Sequence, residues 1–424
     1  MPSAVVAQVW EWSVMSERAR RVGIVSSSFF PLIGGAERQC LRLGRSLKRS
    51  RQLAWVLTQH LSPETSRVDV VEEIRVHRIG FVGLWRRIWP GGPTKPQDGT
   101  TYEIARRRKG IRKSLNWVKQ VIVQMLLAVD VAFFLWRQHS AVSVLICFFF
   151  SPLEAIVCRL ARTLRIPVIV RSANSRAYLF QDLIAQWQRR ALLDADRVIA
   201  ISESIREELL ALGVEPARIR LIPNGVDIPT KTWESQSAHL YGAVCVANLS
   251  QQPLKGLDVL IEAWGMVVRE RSAIRLAIGG KGDSTMLVKL ASECGVAKYV
   301  DFLGPVEDVT SLLQQAEAFV LPSRVEGMSN ALLEAMALGM PCVATAVSGS
   351  VDLIEHERSG LLVPPANARA LADAIIYLLG SASLRAKLGQ AARRRTQAHY
   401  ATDMMVQRYR EVLSELVKEP GVAV

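Results

Sequence analysis

The stretch SRVEGMSNALLEAMALGMPCVAT, Ser323 to Thr345, sets Glu326 and Glu334 eight positions apart, with Gly327 and the polar pair Ser329 and Asn330 between them. It continues the apolar run AFVLPS and closes on Gly339 and Pro341. That order reads as a strand, a polar corner and a helix. Ser329 or Asn330 serves as N-cap, Ala331 to Leu338 as helix, and Gly339 then Pro341 as stop signal. A helix start beyond a strand offers unbonded N–H groups and the positive end of the dipole, which suit phosphate. Glu334, one turn in, and Glu326, in the corner, then supply acceptors for hydroxyl groups on either side. Two carboxylates bracketing a diphosphate is the functional reading; carboxylates that merely complement a helix dipole are the plainer one.

The same alternation of apolar run and helical segment extends in both directions. VGIVSSSFF, LAWVLTQ, VSVLICFFF, IPVIVRSA and RVIAIS precede the stretch GAVCVANLS, IRLAIGG, YVDFLG, AFVLPS and PCVATA. Strands that are continuously apolar and alternate with helices belong to parallel sheets covered on both faces. Two such series predict an α/β chain of two Rossmann-like domains, and the turn-rich segment IPNGVDIPTKTWESQSAHL, residues 223 to 240, is the expected hinge. Ligands of such sheets bind beyond the carboxyl ends of the strands, where Glu326 lies.

Composition narrows the class. The chain has 424 residues, half of them apolar, enough for two cores. Its six cysteines, Cys40, Cys147, Cys158, Cys245, Cys294 and Cys342, form no C-x-x-C pair, so neither a disulfide framework nor a zinc site is expected, and a reducing cytosol fits. Residues 1 to 20 show no secretory-leader pattern and are set aside as an extension, with Met15 an alternative start.

The net charge of +14 is lopsided: residues 1 to 210 carry 32 Lys and Arg against 17 Asp and Glu, residues 211 to 424 carry 21 against 22. Arg86, Arg87, Arg106, Arg107, Arg108, Lys109, Arg112, Lys113 and Lys119 are interleaved with Trp85, Trp89 and Trp117. Cations with indole rings suit an anionic lipid surface; a solvated basic face or a nucleic-acid patch are the competing readings. The apolar runs at Val121 to Trp136 and Ala141 to Val157 fall short of the roughly 20 residues of a spanning helix. They are read as a buried helix, a buried strand and a second helix.

Around the opening stretch, E-G-M-S-N-A-L-L-E followed by AMALGMPCVAT resembles the E-x7-E motif of the retaining glycosyltransferases of family 4, the group 1 glycosyl transferases. PLIGGAERQCLRLGRSL, ADRVIAISESIREEL, IRLIPNGVDI, LKGLDVLIEAW, VDFLGPVEDVTSLLQQAEAFVLPS and SGLLVPPAN agree with that family in order. The resemblance implies a GT-B fold, two Rossmann-like parallel-sheet domains facing across a cleft. It sets an N-terminal acceptor-binding domain at 21–228 and a nucleotide-sugar-binding domain at 229–400. Residues 401–424 would form a helix packing back on the first domain. It further implies that Glu334 accepts from the donor ribose, that Glu326 holds hydroxyls of the donor sugar, and that Lys255 neutralises the diphosphate. Gly327, Met328, Ser329 and Asn330 would lend backbone to the donor, and Gly34 and Gly35 would let backbone approach its phosphate.

Two departures stand out. Where the family often has an arginine before its lysine, this chain has Asn248; one cation fewer means weaker charge neutralisation at the leaving group, unless Arg324 or Lys281 swings in. Where many members have a histidine after the strand ending in VIV, this chain has Arg171, Ser172 and Asn174, taken as acceptor-side candidates. No histidine base is expected; in a front-face transfer the leaving diphosphate helps deprotonate the acceptor. D-x-D at Asp194 and Asp196 is read as a helix end rather than a metal site, and the glycine-rich GGKGDST as a loop lining the same cleft rather than a P-loop, so no metal and no cofactor is expected. The expected function is retaining transfer from a nucleotide diphosphate sugar to a glycan or polyprenyl-diphosphate-linked oligosaccharide in surface-polysaccharide biosynthesis. The expected place is the cytoplasm, peripherally at the inner membrane face, without nucleic acid. A nucleotide-sugar epimerase and a noncatalytic nucleotide-sugar or nucleic-acid binder are the alternatives.

Overall fold

The computed structural model describes residues 21–29, 34–60, 65–80, 111–148, 151–173, 183–234, 239–272 and 274–417, without the side chains of 111–124, 183–185 and 187. The apolar runs become the strands of two sheets. The first comprises β1 (Val22–Ser26), β2 (Leu53–Gln59), β3 (Val68–Val71), β4 (Ile74–Ile79), β5 (Val144–Cys147), β6 (Val168–Ser172), β7 (Arg197–Ala200) and β8 (Ile219–Leu221). Their order is β3-β4-β2-β1-β5-β6-β7-β8. Every pairing is parallel except β3 with β4. The second sheet comprises β9 (Tyr241–Val246), β10 (Leu276–Gly279), β11 (Val300–Gly304), β12 (Ala316–Leu321), β13 (Cys342–Thr345) and β14 (Leu361–Val363), in the order β11-β10-β9-β12-β13-β14. Ile24, Ile146 and Ile169 in the first sheet and Val244, Ile278 and Phe319 in the second are fully buried, as two-sided helical cover requires.

The helix Ile111–Gln138 corrects one expectation. It was read as buried, but only one face is: Leu127, Val131 and Leu135 enter the core, and Phe134 meets Trp55 edge-on at 4.9 Å. Met125, Val129, Phe133 and Trp136, spaced four, four and three apart, are 60–66% exposed. That spacing makes them one stripe along the opposite face. Among the described residues no helix is long and apolar enough to cross a membrane. The positions 85–109 of the basic, tryptophan-bearing segment lie outside the described residues.

After β5 the chain enters the helix Pro152–Thr163, capped by Ser151. Its Glu154 is fully buried, which pushes its carboxyl above the usual range, although the Ser27 N–H, at 2.7 Å, and the Ser151 N–H, at 2.9 Å, both donate to it.

The chain passes between the two sheets twice at one place. Val226 N–H donates to Tyr400 O at 2.8 Å and Thr402 N–H to Val226 O at 3.0 Å, pairing the outgoing and returning strands. Beyond that crossing the helix Thr402–Leu416 buries Met405, Val406, Tyr409, Val412 and Leu413 in one cluster with Val22, Ile24, Leu43 and Ile146. Trp233, in the segment expected to be the hinge, is anchored: its Nε1 donates to Ala316 O at 2.9 Å.

Candidate active site

The carboxyl ends of both sheets face one cleft of about 500 Å³. On one side it is lined by Gly34, Gly35 and Arg38, on the other by Lys255, Glu326 and Glu334.

Lys255 and Glu326, 71 positions apart, meet at 2.8 Å, both largely buried. Three local devices hold them. Gly256 adopts φ +62° and ends the Lys255 loop at the start of the helix Leu257–Glu270. A Cβ there would fall 2.0 Å from Pro322 O, so only glycine lets the Lys255 loop lie against the corner after β12. Arg324 clamps the same two loops: its guanidinium donates to both Asp258 oxygens, at 2.7 and 2.6 Å, and to Pro253 O at 2.7 Å. Burial works to raise the Asp258 carboxyl, yet Arg324 prevails and holds it below the usual range. Arg324, expected as a donor-binding cation, is thus committed to a strut and is not among the residues lining the cleft. Finally, Ser348 Oγ and Gly349 N–H donate to Glu326 O, fixing its backbone.

The helix Asn330–Leu338 starts at Ser329, whose Oγ accepts from Leu332 N–H at 3.2 Å. Asn330 spends its side chain across the cleft. Its Nδ2 donates to Gly35 O at 2.8 Å, while its Oδ1 accepts from Gln39 Nε2 at 2.8 Å and Asn224 Nδ2 at 3.0 Å. A Cβ on Gly35 would fall 2.6 Å from Asn330 Nδ2, so this glycine serves close approach of the two halves. Glu334 meets two arginines of the helix Gly35–Arg49: Arg38 at 3.1 Å and Arg42 at 3.6 Å. Gly34 N–H goes to the Glu37 carboxylate at 3.1 Å, so an acidic side chain of the chain itself sits at this helix start.

Asn248 lines the cleft and its Oδ1 accepts from Ser250 N–H at 3.0 Å. Gly327 lies against Ala173 O, and Met328 is buried with its Sδ 3.3 Å from Asn224 N. Arg171, at the end of β6, is 2% exposed; it donates to Asn224 Oδ1 and lies over the Phe148 ring at 5.2 Å. Burial pulls its pKa down. Ser172 ends β6 and is not among the residues lining the cleft; Asn174 lies outside the described residues. In the D-x-D stretch, Asp194 pairs with Arg162 at 2.9 Å and Asp196 accepts from Val168 N–H at 2.8 Å, both away from the cleft. Gly280 and Lys281 of GGKGDST do line it.

The residues that sequence reasoning did not single out are Arg38, Gln39, Arg42, Asn224 and Gly225. All five lie inside the quoted segments GGAERQCLR and IPNGV, but nothing in their spacing says that they meet the donor-side helix. Gln39 pairs with Gly225 in both directions, at 2.8 and 3.0 Å, and so joins the first helix to the crossing strand.

Two family models match the chain: "Glycosyltransferase Family 4" over residues 33–229 and "Glycosyl transferases group 1" over residues 241–381. Among curated proteins, the exopolysaccharide phosphotransferase of Streptomyces coelicolor is 31% identical over 226 residues, covering 52% of this chain and 24% of that protein. The amylovoran biosynthesis glycosyltransferase AmsK of Erwinia amylovora is 29% identical over 239 residues, covering 54% and 58%. The chain therefore spans less than two thirds of either relative. Among solved structures, Anabaena HepE in complex with UDP-glucose superimposes with a TM-score of 0.70 at 19% identity, covering 93% of this chain and 99% of that one. That likeness shows the fold, GT-B.

Proposed function

We propose, for a chain that belongs to the group 1 glycosyltransferases of family 4, that this cleft transfers a sugar from a nucleotide diphosphate sugar to a hydroxyl of a growing glycan, with retention. The observation that carries the reading is the Lys255–Glu326 pair lining one cleft with a second carboxylate, Glu334, one turn into a helix. Glu334 would take the ribose hydroxyls and Glu326 the hydroxyls of the transferred sugar. Lys255, displaced from Glu326, would neutralise the diphosphate as the bond from the anomeric carbon to phosphate oxygen breaks. The acceptor oxygen would bond to that carbon from the same face and pass its proton to the leaving diphosphate. Lysine supplies the charge that a metal supplies elsewhere, so we propose no metal requirement. UDP and UDP-glucose, bound by the Anabaena relative, are the first donors to try.

A thermal-shift panel of nucleoside diphosphates and nucleotide sugars tests this on wild type, Glu334→Ala and Lys255→Ala. A donor at 100 times its dissociation constant should add about 2.7 kcal/mol of apparent stability to the wild type. Both variants should lose most of that shift. A panel in which nothing shifts the wild type would leave the cleft without a donor and sink the reading. Turnover of donor without acceptor would favour an epimerase.

The acceptor class follows from the first half of the chain. Between residues 104 and 129 there is no Asp or Glu, and Arg106, Arg107, Arg108, Lys109, Arg112, Lys113 and Lys119 fall there. The exposed stripe Met125, Val129, Phe133 and Trp136 begins six residues after Lys119. A cationic stretch leading into an apolar helix face suits an anionic membrane surface. A polyprenyl-diphosphate-linked oligosaccharide at that surface, as in surface-polysaccharide assembly, is the acceptor we propose. Flotation with phosphatidylglycerol-containing vesicles should recover the wild type, and replacing Phe133 and Trp136 together by glutamate should cut recovery by about tenfold or more. Equal recovery of both proteins would remove the membrane from the proposal.

A further inference from the structure

We propose that Arg38 is the second cation of the diphosphate site, held by Glu334 until a ribose takes that carboxylate. The assignment rests on the transferase reading above and goes beyond it in naming the residue that supplies the charge missing at Asn248.

A departing nucleoside diphosphate gathers more negative charge than one lysine neutralises, and charge-assisted bonds to phosphate are the strong ones. Among the described residues, the cations lining the cleft are Arg38, Arg171, Lys255 and Lys281. Arg171 is 2% exposed, and its guanidinium is engaged with Asn224 and Phe148. Lys281 is exposed on its loop, a point charge without the fork of a guanidinium. Arg324 is clamped on Asp258. Arg38 remains.

The two arginines on Glu334 are unequal. Arg42 is 12% exposed and is tied down elsewhere, to Gly225 O at 3.0 Å and Asp227 at 3.2 Å. Arg38 is 35% exposed, and Glu334 is the partner the structure gives it, at 3.1 and 3.4 Å. When ribose hydroxyls engage Glu334, Arg38 is the one that yields, and Arg42 stays to balance the carboxylate. The freed guanidinium lies on the first turn after Gly35, beside the ribose and therefore next to the phosphates attached to it. The residue thus exchanges one anion for another within the same cleft, and the exchange is possible only for a ligand that carries both ribose and phosphate.

The test separates this from a mere tie between the two halves. UDP, GDP and ADP are titrated calorimetrically into the wild type, and the one that binds is carried forward together with its nucleoside. Arg38→Gln should weaken the diphosphate about 10- to 100-fold while leaving the nucleoside unchanged or tighter, because Glu334 is released. Arg38→Lys should recover part of the diphosphate affinity. Glu334→Gln should do the reverse, weakening the nucleoside more than inorganic pyrophosphate. Equal loss of nucleoside and diphosphate in Arg38→Gln would make Arg38 a domain tie and overturn the assignment, as would no loss at all. A larger selective loss in Lys281→Ala would move the role to Lys281. If none of the three diphosphates binds the wild type, the transferase reading itself fails, and this assignment with it.

Discussion

Lys255→Ala is expected to lower turnover by about 10²- to 10³-fold while the protein stays folded. The side chain reaches into the cleft from a loop that Gly256 and Arg324 hold without its help. Its removal takes away a charge that counts most when the diphosphate leaves, so kcat should fall further than KM rises. Glu326 is left without its cation but keeps Ser323 Oγ at 3.3 Å and the edge of the cleft, so loss of the pair costs little stability. Steady-state kinetics on the donor found by the panel, alongside a urea unfolding curve, decides the matter. A variant within about fivefold of wild type would show that the diphosphate is neutralised elsewhere and would break the link between the Lys255–Glu326 pair and catalysis.

Gly256→Val is expected to destabilise the protein by about 3–5 kcal/mol, a loss well above that of an ordinary substitution. Two penalties add. A β-branched side chain at φ +62° pays the left-handed backbone cost of about 1–2 kcal/mol, and its Cβ would lie 2.0 Å from Pro322 O. Backbone cannot rotate aside as a side chain can, so either the loop before the helix or the corner after β12 must move. Both carry the site, and donor binding should be lost together with stability. Chemical unfolding and the donor thermal shift measure the two effects. A variant that loses less than about 1 kcal/mol would mean that Pro322 yields, and that the close approach is not what seats Lys255.

Much of this arrangement is legible in the amino-acid order, and the parts that are not share a cause. The ten apolar runs read as strands are strands, because two-sided burial leaves no polar alternation to hide them. The β3–β4 hairpin escapes that reading. Arg75 and His77 alternate with Ile74, Val76 and the buried Arg78, a mixed pattern, and the turn rests on Glu72 and Glu73 at φ +48° and +66° rather than on glycine or asparagine. β8 and β14 are three residues each, too short for a period to show. The helix at 111–138 is apolar on both sides, and a sequence does not say that a neighbour covers only one of them. In the site, Glu326, Glu334 and Lys255 were found by resemblance to a family motif, and they do line one cleft. The arginine that pairs with Glu334 is not legible: Arg38 and Glu334 are 296 positions apart, and pairing at that distance leaves no mark on either segment. The place of Arg324 on Asp258 is hidden for the same reason, since Asp258 reads as an ordinary helix-start acid until the fold brings it under the guanidinium.

The returning helix has a consequence for the order of synthesis. Residues 241–399, holding the second sheet and its helices, form one unbroken stretch, so that half is whole in sequence before Thr402–Leu416 is made. The first sheet, begun at Val22, receives Met405, Tyr409 and Leu413 only from the helix Thr402–Leu416. A chain leaving the ribosome therefore completes its later-made half first, and its earlier-made half waits with a bare apolar flank until Thr402–Leu416 has been made.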